Sequence, residues 1–440
     1  MFSFRPFATT AFLLAAPLMA SAAPQPIDLA TTLRLAGADN LSIRIAQEKL
    51  AEARADADVA RERMYPWVTA GLGFRQHDNN GQTVEGRIVE ADKRSFSTGI
   101  ALNAQWDLGE VYYQKLVAQQ RARAEEAAVA TQRQNTVTEA ALAYFELLRA
   151  TATIGIATEA LELSSRHYSQ FAALAASGLG FAGDVQRLAA VRARSETAVA
   201  QARESARIAA ARLAELLRLD PTVELMPNSA ELVATTLVPA SADLGSLVAQ
   251  ALAARPELAQ ADAQLASVRE ANQGARRAPL IPTVSAQASF GALGGDTGHR
   301  SWSRGFDSSN DYGLGLSWRI GPGGLFDRSR VRSSDARLRR GELEVEQTRD
   351  VIRRQVVEYH ARCQSLSAQL ASLRVALDAA TKTAELSRER RSLAVSNALE
   401  DLIAEEELTR ARRDYVATLA QSAQAQYALL RALGGITATK

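Results

Sequence analysis

The string in this 440-residue sequence closest to a nucleotide site is Gly178-Leu179-Gly180-Phe181-Ala182-Gly183, a match to G-x-G-x-x-G. That spacing cradles a pyrophosphate only after a strand and at the mouth of a βαβ unit. Here the stretch His167 to Ala176 reads as helix and an Ala/Arg helix follows, so the string reads as a turn between helices. Glu405-Glu406-Glu407 offers carboxylates, but a charge run of this kind reads as a solvated helix face. The sequence holds four histidines and no Ser/His/Asp ordering, HExxH, CxxC or P-loop. His77 and His299 fall in polar loops, far apart and without cysteine or paired carboxylates, a weak metal signal. No catalytic residue, cofactor or metal site is expected, and no enzyme.

Other classes fall away on composition. A formal net charge of +2 gives no polyelectrolyte footprint, so no nucleic-acid partner is expected. Mean hydropathy is −0.13. Beyond the N-terminus no uncharged apolar run approaches the roughly 18 residues of a transmembrane helix, so any membrane entry must be by strands or an anchor. Arg5, the apolar stretch Ala11 to Met19 and Ala20-Ser21-Ala22 read as a secretory signal peptide over residues 1–22. Cleavage after Ala22 is preferred, because cutting after Ala23 would leave Pro24 first. With Cys363 as its one cysteine, the exported chain would carry no disulfide framework and no N-terminal lipid.

The remaining sequence repeats itself. Met64 to Phe74 aligns with Leu280 to Phe290, and Leu102 to Gly109 with Leu314 to Gly321. Two units of about 215 residues follow, 23–232 and 233–440, forming one integrated whole. Each reads as helix, strand, loop, strand, very long helix, tight turn, helix. The strands, about 66–76 and 95–107, then 282–292 and 311–320, alternate with period two. Val68, Leu72, Phe74, Phe96, Ile100, Leu102 and Trp106 share an apolar face; Val284, Phe290, Tyr312, Leu314, Leu316 and Trp318 do the same in the second unit. Small and polar residues oppose them. Each run is about the 9–11 residues of a tilted membrane strand. Phe74, Phe96, Phe290 and Tyr312 mark one end of these faces, and Trp67, Trp106 and Trp318 the other, like the aromatic girdles of a membrane barrel. The alternative is a soluble antiparallel sheet packed on helices. Polar loops His77 to Arg94 and Gly294 to Asn310 join the strands.

Leu108 to Ala176 and Asp327 to Ala394 lack proline and are rich in Ala, Leu, Arg, Glu and Gln. A helix of that length is on the order of 100 Å, which implies a coiled coil or helical tube. Ile27 to Arg63, Asp184 to Leu219, Ala242 to Arg277 and Leu399 to Leu433 are half as long; in pairs they match one long helix, with a break at Pro221 to Ser241. A sheet in lipid must close, and four strands fall short of the roughly eight that the smallest single-chain barrels use. Membrane strands here therefore require several chains in one barrel.

This ordered set resembles the TolC-type outer-membrane efflux protein family over essentially the whole mature chain. Tyr65-Pro66, Trp106-Asp107-Leu108-Gly109, Ala143-Tyr144-Phe145-Glu146-Leu147-Leu148, the turn Gly178 to Gln186 and Ala432-Leu433-Gly434-Gly435 carry the resemblance. It implies a mainly α fold with a small β part: a homotrimer whose shared transmembrane β-barrel, four strands per chain, continues into a long periplasmic α-helical coiled-coil barrel. It also implies residence in the outer membrane of a Gram-negative bacterium, in contact with its lipid. The function implied is the exit duct of a tripartite efflux or type I secretion system. Its partners would be a periplasmic adaptor (membrane fusion) protein and an inner-membrane pump. An exported coiled-coil scaffold or adhesin without channel activity is the alternative.

By the same resemblance the turns Ser177 to Asp184 and Ala394 to Asp401 form the periplasmic tip. Ser177, Gly178, Leu179, Ala394, Val395 and Ser396 would contact the adaptor. Gly178 suits a left-handed helix cap and Asp184 an N-cap. The second turn departs from the family pattern: Ala394-Val395 replaces a Val-Gly shifted by one residue, and Ile403 stands at an expected acidic position. Glu400 and Asp401 are entrance candidates, either repelling one another around a narrow axis or serving as first-turn helix acids. Arg388, Arg390 or Arg391 would tie to Asp184 or Glu400 and hold the tip shut.

Overall fold

The computed structural model describes residues 25–178, 180–228, 232–297, 305–392 and 398–435. The signal peptide, His299, Leu179, Ala394, Val395 and Ser396 lie outside them, as does the side chain of Arg391. The elements run β1 (Gln25–Ile27), α1 (Leu29–Asp39), α2 (Leu41–Glu62), β2 (Trp67–His77), β3 (Asn80–Gln82), β4 (Ile88–Glu90) and β5 (Lys93–Asp107). Then come α3 (Leu108–Ala176), α4 (Ala182–Leu217), β6 (Leu225–Pro227), α5 (Leu244–Ala254), α6 (Pro256–Arg277), β7 (Thr283–Thr297), β8 (Asp307–Ser317), α7 (Arg328–Ser392) and α8 (Ala398–Ala432). The chain packs as two compact units, each drawing on both halves of the sequence.

The first unit takes the described residues of 25–35, 140–234 and 370–421. Its β1 pairs in parallel with β6, so part of the expected break in helicity at Pro221 to Ser241 is a strand. Ala143, Tyr144, Phe145, Leu147 and Leu148 of α3 are buried, whereas Glu146 lies at the rim and binds Arg149 at 2.5 Å. Ala157 of α3 packs with Val199 and Ala202 of α4. Alanine at these contacts lets the helix backbones approach closely.

The second unit takes 36–139, 235–369 and 422–435. Its helical core joins Leu247 and Ala251 of α5, Ile352, Val356 and Cys363 of α7, Leu429 of α8, and Leu433 just after α8. Fully burying one such Leu or Ile contributes about 1.5–3 kcal/mol. The half-length helices expected over Ile27 to Arg63 and Ala242 to Arg277 are each two helices. Asn40 caps α2, its side chain accepting from the Ser42 N–H at 2.8 Å. Pro256 sits at the first position of α6, where its missing N–H does no harm but where α5 cannot continue through it. The two interruptions fall at equivalent places in the repeats.

The sheet has the order β2-β5-β7-β8 and is antiparallel throughout. Its strands differ at their ends from the sequence reading. His77 closes β2 rather than lying in a loop, its Nε2 3.2 Å from the Asn80 carbonyl. A β3–β4 ribbon occupies the first expected loop, β7 runs on to Thr297, and Trp318 to Ile320 lie past the end of β8. The ladder continues wherever both strands can keep pairing, and composition alone does not mark where that stops.

Candidate functional site

The register decides which side chains share a face. Val68, Leu102, Ala288 and Tyr312 stand in one row; Ala70, Ile100 and Phe290 stand in the next row on that face. Trp106, Val284 and Leu316 form a third row, and Phe74 opposes Phe96 directly. Leu72 and Leu314 fall on the same face by parity, and every expected strand residue is accounted for on it except Trp318, just beyond β8. Leu72 is 76% exposed and Leu314 83%, so this apolar face is uncovered within one chain. Phe290 and Tyr312 stack edge to face at 5.5 Å and lie further along the ladder than Phe74 and Phe96, so the expected girdle is staggered across the rows. Trp67 pairs with Asn103 and falls on the opposite face.

That opposite face is small and polar. Thr69, Ala101, Ser289 and Asp311 form one row, and Gly71, Gly99, Gly291 and Ser309 the next. A Cβ on Gly291 would sit 2.1 Å from the Thr98 carbonyl oxygen, so this row requires glycine to keep the strands in contact. The outer edges of β2 and β8 have no strand partner among the described residues. One face apolar, one face polar and two open edges describe a segment of a closed wall.

The first unit holds the residues expected at a constriction. Gly178 follows α3 with φ +77°, the left-handed cap that the turn needs. Asp184 is not the N-cap of α4, because the helix begins at Ala182 with Phe181 before it. Asp184 instead lies in the first turn, 3.5 Å from Arg187. On α8, Asp401, Ala404, Glu405 and Leu408 are buried, a stripe at helical spacing that includes two carboxylates. Asp401 is 0% exposed and faces buried His167 of α3 at 3.7 Å, so it does not project from the surface as an entrance acid would. Glu405, expected on a solvated face, accepts two hydrogen bonds from Arg388, at 2.6 and 3.1 Å. That carboxylate, with Asp401 and Glu159 nearby, raises the Arg388 pKa above its already high ordinary value. Arg388 therefore ties α7 to Glu405 rather than to Asp184 or Glu400. Arg390 makes the bond to Glu400, at 2.6 Å, and Arg412 of α8 binds Glu159 of α3 at 2.7 Å.

His167, Glu405, Arg412 and Glu159 were not singled out by sequence reasoning as parts of this cluster. Acids four residues apart on an otherwise apolar α8 stripe were the signal available. The helix ends and the sheet can bind, line and constrict. Among the described residues no group of three His, Cys, Asp or Glu side chains is placed to hold a metal.

The family described as "Outer membrane efflux protein" matches residues 32–217 and 247–435. No curated protein matches the chain in sequence. Among solved structures, a membrane protein from Pseudomonas aeruginosa is 22% identical with a TM-score of 0.77, covering 97% of this chain and 99% of that one. The outer-membrane channel OprN is 23% identical with a TM-score of 0.77, covering 98% of each chain. The CmeC outer membrane channel of Campylobacter jejuni is 14% identical with a TM-score of 0.81, covering 99% and 94%. These likenesses concern the fold.

Proposed function

From the premise that this chain belongs to the outer membrane efflux protein family, we propose that it is the exit duct of a tripartite efflux or type I secretion system. It resides in the outer membrane, with its long helices in the periplasm, and passes substrates received through an adaptor from an inner-membrane pump. The observation that carries this reading is the four-stranded sheet with one uncovered apolar face, one polar face and two edges unpaired among the described residues. Lipid satisfies the first, a water-filled lumen the second, and a further copy of the chain each edge. Three copies give twelve strands, within the range of known outer-membrane barrels.

The entrance is assigned to the turns α3–α4 and α7–α8. Ser177 and Gly178, with Leu179, Ala394, Val395 and Ser396, are proposed to meet the adaptor. Arg388–Glu405 and Arg390–Glu400 are proposed to hold α7 against α8 in the closed state, with Asp184 and Arg391 as further charges of the entrance. Once opening parts Glu400 from Arg390, three Glu400 carboxylates about an axis would favour cations there.

Native mass and membrane fraction in mild detergent test the reading. A heat-dissociable species near three times the chain mass, recovered from outer membranes, is expected. A soluble monomer or dimer would replace the duct by an exported coiled-coil scaffold.

A further inference from the structure

The two strand-to-helix joints of the repeats are not alike. After Trp106, α3 begins two residues later; after Trp318, α7 begins ten residues later, so the second joint holds eight extra residues. They form a tight knot. Gly321 donates to the Leu325 carbonyl at 2.9 Å, Leu325 to that of Arg319 at 2.8 Å, and Gly324 to that of Gly321 at 2.9 Å. The Asp327 carboxylate accepts from the N–H groups of Gly323 and Arg330, both at 2.9 Å. This ordered backbone presents apolar side chains outward: Ile320 is 73% exposed and Phe326 83%. Phe326 has φ +69°, a conformation that a bulky residue adopts only when its surroundings impose it. A knot this well bonded, strained at an exposed phenylalanine, is built to display that ring.

Its neighbours indicate to what. Past the end of β8, Ile320 continues in sequence the alternation of Leu316 and Trp318. Exposed Trp318, Leu280, Ile281 and Tyr65 lie at the same end of the strands. Arg328 follows the apolar pair, is exposed, and has no ion pair with a carboxylate among the described residues. Arg319, by contrast, has the parity of Ser317 and lines a pocket on the polar side with Gln105, Asp107 and Glu110. An apolar tip next to a lipid-facing surface and followed by an unpaired guanidinium matches the boundary of a phospholipid leaflet, where acyl chains meet phosphates.

We propose that the knot over residues 319–328 is a lipid-binding wedge: Ile320 and Phe326 enter the periplasmic leaflet at the barrel rim, and Arg328 binds the phosphate of an anionic glycerophospholipid. This rests on the reading of the sheet as membrane-spanning. The first repeat has no counterpart, so each chain contributes one wedge.

The test labels single cysteines with an environment-sensitive fluorophore on the C363S background of the full-length protein. Phe326→Cys and Ile320→Cys probe the wedge, Leu314→Cys probes the sheet, and a heat-dissociable trimer certifies folding of each. Proteins are reconstituted in mixed vesicles carrying a shallow nitroxide on either phosphatidylglycerol or phosphatidylcholine. Quenching is expected at 314 with either lipid, and at 320 and 326 with a preference for phosphatidylglycerol. Arg328→Ser should reduce that preference, by up to about fivefold, and Arg319→Ser should leave it unchanged. Quenching at 314 but not at 320 or 326 overturns the wedge and assigns the knot to contact with another copy or a protein. Equal quenching by both lipids, unmoved by Arg328→Ser, overturns the phosphate recognition. No quenching at any position overturns the membrane reading of the sheet and the wedge with it.

Discussion

At the residue scale the decisive side chains are charges placed inside helical packing. Arg388 and Glu405 form a bidentate pair whose carboxylate is nearly buried while the guanidinium remains 45% exposed. Glu405→Gln should therefore cost more than the ~0–1 kcal/mol of an exposed pair but less than the ~3–5 of a buried one. In planar bilayers it should raise closed-state conductance, and the exchange of Arg388→Glu with Glu405→Arg should recover part of the loss. A variant with unaltered conductance would remove this pair from the gate. A second network makes a pH prediction. Burial pushes the Glu257 carboxyl up, but hydrogen bonds from Arg255 at 2.7 and 3.2 Å, with Arg431 at 2.7 Å, outweigh it and leave the pKa lowered. A carboxyl lower in the folded than in the unfolded chain contributes stability that is complete above its unfolded value, about 4.3. That contribution fades as pH falls through the folded value. Denaturation midpoints measured between neutral pH and about pH 3 should drop at the acid end. Glu257→Gln should lower the neutral plateau and flatten that portion of the curve. Arg431, whose pKa burial and the Arg255 cation both lower, stays charged throughout this range.

At the element scale the long helices and the strand faces were legible because periodicity reports burial directly. The α3 limits agree with the sequence reading, Leu108 to Ala176, and alternation placed Val68, Leu102, Leu314 and their neighbours on one face before the register was known. What periodicity could not give was the break at Asn40, where a lone asparagine in a helical stretch looks like any surface polar residue. Pro256 carried a visible signal for its break, since its ring forbids α5 from continuing. Glu400 and Asp401 do stand in the first turn of α8, one of the two readings of the sequence, but the burial of Asp401 and Glu405 was not legible, for a related reason. Carboxylates are counted as solvated unless a partner is known, and His167 and Arg388 come from distant sequence. Close approaches of backbone are likewise invisible until elements dock. A Cβ on Gly109, at the start of α3, would meet the Ala278 carbonyl oxygen at 2.5 Å. Gly109→Val should then cost about 1–3 kcal/mol by overpacking. Gly155, mid-helix with nothing within 4 Å of its added Cβ, should accept alanine with a gain of roughly 0.5–1 kcal/mol. Heat dissociation of the oligomer should fall for the first and hold or rise for the second; the same response in both would remove the Ala278 contact as the cause.

At the scale of the whole molecule, one chain leaves the two outer edges of its sheet without a strand partner among the described residues. Within a sheet ordered β2-β5-β7-β8, the outer strands are three spacings apart, about 14 Å, well beyond the ~4.4–6.8 Å between Cα atoms joined by a disulfide. A bond between a cysteine on β2 and one on β8 of a flat or gently curved sheet must therefore join two chains. Closure also imposes parity, because residues opposite one another share a face and a one-residue slip turns the apolar side chains into the lumen. Cysteines at Val68, Ala70 or Leu72 should cross-link with cysteines at Tyr312, Leu314 or Leu316 in at least one register. Gly71→Cys paired with Leu314→Cys should fail, since the two side chains point to opposite sides of the wall. On the C363S background, oxidation in outer membranes should yield covalent dimers and trimers on non-reducing gels for same-face pairs alone. Cross-linking without regard to parity would show a collisional contact between sheets instead of a shared ladder. Monomers throughout would mean that these edges meet something other than another copy, and the barrel would lose the physical requirement from which it was inferred.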